Sequence, residues 1–213
     1  MEHYFKNMPA DVQSHILKKA HNKIIFLPEG EDKRIIEASE ILKSKFNVSF
    51  ILGSKETSQR NRNKTLEVMT KTAQKKSKVM TPEQEKNAED PTYEGGALLE
   101  LGEVHAVVSG CQNTTAHVIR AALNTIGLAS YSKLITSCFL FSLQKPTQGG
   151  EQIILYSDCA VIPKPTSEEL VNIAYLACQA FTHWTNKTPK VSFLSFSTKG
   201  SASRSEEHTS ELQ

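Results

Sequence analysis

The sequence predicts an α/β protein with a mainly parallel, partly mixed sheet and helices on both faces. Three observations predict it. Short apolar runs that end at Gly or Pro alternate with amphipathic stretches at helical spacing, as in βαβ units. Two apolar runs, LITSCFLFSL and QIILYSD, are separated only by QKPTQGGE, a hairpin-length connection, so part of the sheet is not parallel. An apolar content of 38% over 213 residues is enough for one large core or two modest ones.

Taken in order, DVQSHILKKAHNK reads as a first amphipathic helix, and KIIFLPEGED as a strand stopped by Pro28 and Gly30. EDKRIIEASEILKSK has apolar residues at 35, 36, 38, 41 and 42, which is helical spacing, and FNVSFILGS is a second strand. Residues 55–78 carry eight basic and two acidic side chains; we favour a solvated surface loop and helix over a polyanion-binding patch. The alternation continues through ALLELGE, HAVVSG and the helical NTTAHVIRAALNTIG to the hairpin. It ends with the long helix in TSEELVNIAYLACQAFTHW and a final strand, KVSFLSFST. The expected organisation is a first α/β domain over 10–145 and a partial second α/β domain over 146–203. Residues 204–213 resemble the conceptual translation of a sequencing adaptor, so an artefactual tail on a truncated chain is expected there.

A net charge of +2 from 25 basic and 23 acidic residues gives no reason to expect nucleic acid or membrane as partner of the whole molecule. The longest apolar run, 134–143, is too short to span a bilayer, and MEHYFKNMPADVQ lacks the apolar stretch of a signal peptide. Cys111, Cys138, Cys159 and Cys178 form no C-x-x-C pair, so reduced thiols and a cytoplasmic location are expected. The seven histidines form no metal-binding spacing, and no metal is expected.

In open α/β sheets, ligands bind in loops beyond the carboxyl ends of strands. In VVSGCQNTTAHVIR, Ser109 and Gly110 precede Asn113, Thr114 and Thr115 at a helix start, with Arg120 further into the helix. Free amides, the helix dipole and a guanidinium suit an anion. An ordinary N-cap with a surface arginine fits the same residues. In SFSTKGSAS, Ser197, Thr198, Lys199, Gly200 and Ser201 have the composition of a phosphate nest, although the P-loop spacing is absent and a surface turn fits equally. Asp158 and Cys159 read as a turn-orienting carboxylate and an inert thiol rather than as reacting groups.

Five segments, FLPEGEDKR, DPTYEGGALLELG, VVSGCQNTTAHVIRAALNTIG, YSDCAVIPKPTSEELVNIA and KVSFLSFSTKGSA, together resemble the phosphate acetyltransferase family, within the wider phosphate acetyl/butyryltransferase group. The resemblance implies acetyl transfer between phosphate and coenzyme A, an isopropylmalate dehydrogenase-like fold of two domains flanking a cleft, and a homodimer at full length. Coenzyme A would be a substrate, with no other cofactor. The family's loop arginine falls on Arg120, and the loops at Ser109–Thr115 and Ser197–Ser201 would hold phosphate or acetyl phosphate. The family's base and serine–arginine pair come from a later segment, so no catalytic residue is assigned here and the fragment is expected to be nearly inactive. An arginine expected near KKSK is replaced by lysine, taken as Lys75, which keeps charge for polyanion contacts but loses the planar fork. The family's A-D-G is V-H-A at 104–106. Two rivals remain: an acyl-phosphate or acyl-CoA sensing module like the transacetylase-like region of some malic enzymes, and polyanion binding through 55–78.

Overall fold

Helix starts in this chain are written in side chains that can accept from their own first turn. Asp32 accepts from Arg34 N, Asp90 from Thr92 N and Thr114 from His117 N. Ser54 with Thr57, Thr81 with Gln84 and Thr166 with Glu169 form reciprocal capping boxes. The computed structural model describes residues 7–194. These fall into two units, 7–135 with 140–154, and 136–139 with 155–194.

The first unit runs α1 (Ala10–Ala20), β1 (Lys23–Leu27), α2 (Lys33–Lys45), β2 (Val48–Leu52), α3 (Lys55–Lys75), α4 (Pro82–Lys86), a 3-10 turn (Asn87–Glu89), α5 (Pro91–Glu100), β3 (Ala106–Val107) and α6 (Thr115–Thr125). The three strands form a parallel sheet in the order β2-β1-β3, with Ile25 opposite both Phe50 and Ala106. Parallel pairing requires crossovers, which α2 supplies between β1 and β2, and α3 to α5 between β2 and β3. Phe26 and Leu98 pack with Val104, and the partly buried Ile24, Leu99 and Val107 join them. A second cluster gathers Met69, Ala88, Tyr93 and Ala121 where α3, α5 and α6 meet. Two glycines let α5 approach its neighbours: a Cβ on Gly95 would press on the Phe26 ring, and one on Gly96 would overlap Thr125 Oγ1.

Most of the basic stretch is one long helix, and residues 76–78 leave it as a turn. Its inner face buries Ser58, Thr65, Val68, Met69 and Thr72. Five of its cations, Arg60, Arg62, Lys64, Lys71 and Lys75, pair with Glu56, Glu89, Glu103, Glu67 and Glu100. Carboxylates on α3 itself and on neighbouring segments therefore offset much of the stripe's charge.

The hairpin pairs β4 (Cys138–Ser142) with β5 (Ile153–Ser157) in a sheet separate from the parallel one. Leu143 N donates to Gln152 O and Ser157 Oγ to Ser137 O, a register that descends along one strand as it climbs the other. Parallel and hairpin pairing are both present, divided between two sheets. The second unit contains α7 (Ser167–Thr185), closed by Asn186 in the left-handed conformation.

The expected last strand is a correction. Residues 191–194 have no regular structure, and Val191, Phe193 and Leu194 are exposed. A strand needs a neighbour's ladder for its N–H and C=O groups, and none pairs with this segment among the described residues. The rest of KVSFLSFST lies outside the described residues. Among the described residues, no helix is long and apolar enough to cross a membrane.

Candidate functional site

Because β1 and β3 are adjacent and parallel, the loops that follow them leave the same edge of the sheet. The loop after β1 carries Glu29 and Asp32; the loop after β3 carries Ser109 to Thr114. Glu29, only 9% exposed, is the acceptor that joins them. Its Oε1 accepts from the backbone N–H of Gln112 at 2.7 Å and Asn113 at 2.8 Å, and its Oε2 from Gly110 at 3.0 Å and Cys111 at 3.1 Å. Gly110 turns its amide inward at φ +120°, a conformation that side chains disfavour. Burial pushes the Glu29 carboxyl upward, but the amides of Gln112, Asn113, Cys111 and Gly110 outweigh it and hold the group below the ordinary glutamate range.

Asp32 forms a second link. It accepts from Gln112 Nε2 at 2.8 Å, lies 3.7 Å from Cys111 Sγ, and takes Arg34 NH2 at 2.7 Å. The Arg34 guanidinium, followed by the Gln112 amide, holds this carboxyl well below the usual range, and Asp32 in turn keeps Arg34 protonated.

The structure brings Ser109, Gly110, Asn113, Thr114 and Thr115 together at the start of α6. Asn113 Nδ2 donates to Thr92 Oγ1 at 3.1 Å and reaches Ser109 Oγ at 3.5 Å, which fastens the loop to the first turn of α5. Thr114 is the N-cap of α6, and Thr115 is exposed. Arg120 lies beyond them on a stripe with His117 and Asn124. His117 meets the buried Tyr93 ring edge-on at 5.8 Å, while Asn124 hydrogen bonds the Tyr93 hydroxyl and the Arg120 charge acts on it. Burial, the largest influence, raises the Tyr93 hydroxyl above its usual value in spite of both. Arg120 is exposed and in no ion pair among the described residues.

Lys75 is not part of this group. Thr72 Oγ1 donates to Thr125 O at 2.7 Å and Lys76 Nζ to Leu123 O at 2.6 Å, so the end of α3 meets the carboxyl end of α6, opposite the loop. Lys75 there faces Glu100 at 3.5 Å. Ser197, Thr198, Lys199, Gly200 and Ser201 lie outside the described residues. Sequence reasoning missed Glu29 and Asp32. The available signal was the three carboxylates of PEGED at the carboxyl end of a strand, beside a neighbouring loop with amides to satisfy.

A loop built this way, at the edge of a parallel sheet, invites comparison with known proteins. The profile of the family described as phosphate acetyl/butaryl transferase matches residues 11–211. The chain belongs to this family. Among the family's curated proteins, a phosphate acetyltransferase from Helicobacter pylori is 35% identical over 91% of the chain and 40% of its own length. One from Clostridium acetobutylicum is 34% identical over 86% of the chain and 62% of its own length. In structure, the family member superposes on a phosphotransacetylase from Staphylococcus aureus with a TM-score of 0.67 at 26% identity, over 92% of the chain and 64% of the other. The chain thus spans about two fifths to three fifths of the length of these curated relatives.

Proposed function

We propose that this family member takes part in reversible transfer of an acetyl group between acetyl phosphate and coenzyme A. The family match along residues 11–211 carries the reading, and relatives named phosphate acetyltransferase support it.

In this reading, Arg120 supplies a planar, permanently charged donor for a small dianion, and Ser109, Thr114 and Thr115 supply hydroxyls. Gly110 gives the loop its turn and Asn113 fixes it to α5. On the family resemblance, Ser197, Thr198, Lys199, Gly200 and Ser201 are further candidates for phosphate contact. Lys75 would serve the coenzyme's phosphates instead. The 11 residues of α6 place about 16 Å between that lysine's neighbourhood and the loop, a span for an extended ligand and not for acetyl phosphate. We assign none of these residues as the base that takes the thiol proton. On the family resemblance, the full-length assembly would be a homodimer. The four free cysteines suit a cytoplasmic location.

The test is acetyl-CoA formation from acetyl phosphate and coenzyme A by the full gene product, with acetyl phosphate binding measured in parallel. Turnover together with saturable binding is expected. Saturable binding without turnover would turn the reading into that of a sensing module, and absence of both would remove it.

A further inference from the structure

The four amides of Gly110–Asn113, in the loop whose helix start suits an anion, already have one, and it is the chain's own. Glu29 is buried, follows directly on β1 and Pro28, and receives Gly110, Cys111, Gln112 and Asn113 at 2.7–3.2 Å. The second carboxylate, Asp32, holds the Gln112 side chain from the same side. A phosphoryl group brought to those amides would have to evict one carboxylate and sit beside another, with like charges close together. Only groups outside this loop core remain to meet it.

We propose that Glu29 is a positioning residue of the acyl-phosphate site: its carboxylate occupies the amides of Gly110–Asn113, and the phosphoryl group is met by side chains, Ser109, Thr115 and Arg120, instead of by those amides. The inference rests on the anion-site reading above. It specifies which groups carry the recognition and makes Glu29 act through the loop, without touching substrate.

The experiment is a titration of the isotope-labelled full gene product with inorganic phosphate, followed by amide and arginine Nε–H resonances, for the native protein and Glu29→Gln. In the native protein the amides of 110–113 should stay in place and exchange slowly with solvent, while Thr115 and Arg120 shift saturably. In Glu29→Gln those four amides should exchange at least tenfold faster and phosphate should bind about tenfold more weakly, with exchange at Phe26 unchanged. Exchange at Phe26 rising in step would mean global destabilisation and would overturn the positioning role. Saturable shifts at 110–113, or tighter phosphate binding by Glu29→Gln, would show that phosphate displaces Glu29. Absence of any shift at Thr115 or Arg120 would end the side-chain half of the proposal. The amide resonances are read independently of acetyl-CoA formation, so loss of the enzymatic reading and loss of this one are separable.

Discussion

Asp158 Oδ1 accepts both the backbone N–H and the hydroxyl of Ser137, each at 2.6 Å. The other oxygen accepts from Val161 and Ile162 N, and Ser137 Oγ accepts from Cys159 and Ala160 N. One carboxylate and one hydroxyl thus tie the start of the hairpin to the turn that leads toward Pro163. Burial raises this carboxyl, but the Ile162, Ser137 and Val161 donors outweigh it and hold it well below the aspartate range. A depressed folded-state pKa stabilises above the unfolded value and is lost as pH falls through the folded one. Asp158→Ala should cost about 2–4 kcal/mol in urea unfolding at neutral pH, because several donors lose a charged acceptor. Asp158→Asn should weaken the decline in stability that the native chain shows below about pH 4. Equal acid sensitivity in the two proteins would refute the assignment.

Gly96 is the closest approach of α5 to Thr125 of α6. An alanine there meets Thr125 Oγ1 in overlap and its Cβ at 3.0 Å. Gly96→Ala should therefore destabilise by about 1–3 kcal/mol, although alanine is the better helix former. Thr125→Ala in the same chain should recover part of that loss. Thermal unfolding of the two single variants and the double variant measures the coupling; strict additivity would show that the clash is relieved elsewhere.

The sequence shows these elements unevenly. The period of apolar residues in α2 and the Thr114 cap of α6 are local properties, and local reading finds them. The glycine pair in α5 looks unfavourable for a helix until Phe26 and Thr125, distant in sequence, are seen against it. The loop before α6 is legible as a polar turn ahead of a helix. The destination of its amides is not, since Glu29 and Gly110 are 81 residues apart. Lys75 was placed by family spacing, and only the packing of α3 on α6 shows it at the other end of that helix. Residues 190–194 have the apolar content of a strand, but apolar content records what a segment would bury and not whether a neighbouring strand is at hand, and none pairs with them among the described residues.

Glu94, 2% exposed in the first turn of α5, accepts from Ser58 Oγ at 2.7 Å and Asn61 Nδ2 at 2.6 Å. It is a buried polar connection between α5 and α3. Glu94→Ala should destabilise by about 3 kcal/mol or more, since it leaves a cavity and the Asn61 amide without its acceptor, while the Ser58 hydroxyl keeps only Ser54 O. Glu94→Gln should cost less. A Glu94→Ala chain with native stability in chemical denaturation would contradict this account of the α3–α5 contact.

Arg120 and Lys75 should separate by ligand. In the full gene product, Arg120→Ala should weaken acetyl phosphate binding about tenfold or more, with Arg120→Lys recovering only part of it. Lys75→Ala should leave acetyl phosphate binding unchanged and weaken coenzyme A by a few-fold, as expected for one exposed cation. Calorimetric titration of each ligand decides, and a Lys75 effect on acetyl phosphate would count against the assignment of the two ends of α6.

The place of β1 between its two partners has a consequence for the order of folding. Ile25 joins Phe50 across 25 residues of chain but Ala106 across 81. Closing the longer loop costs about 1 kcal/mol more in chain entropy. The β1–α2–β2 unit should therefore nucleate, and β3 should dock only after α3 to α5 have collapsed. The edge from which Ser109 and Arg120 are presented would then be the last part of the sheet to acquire its shape.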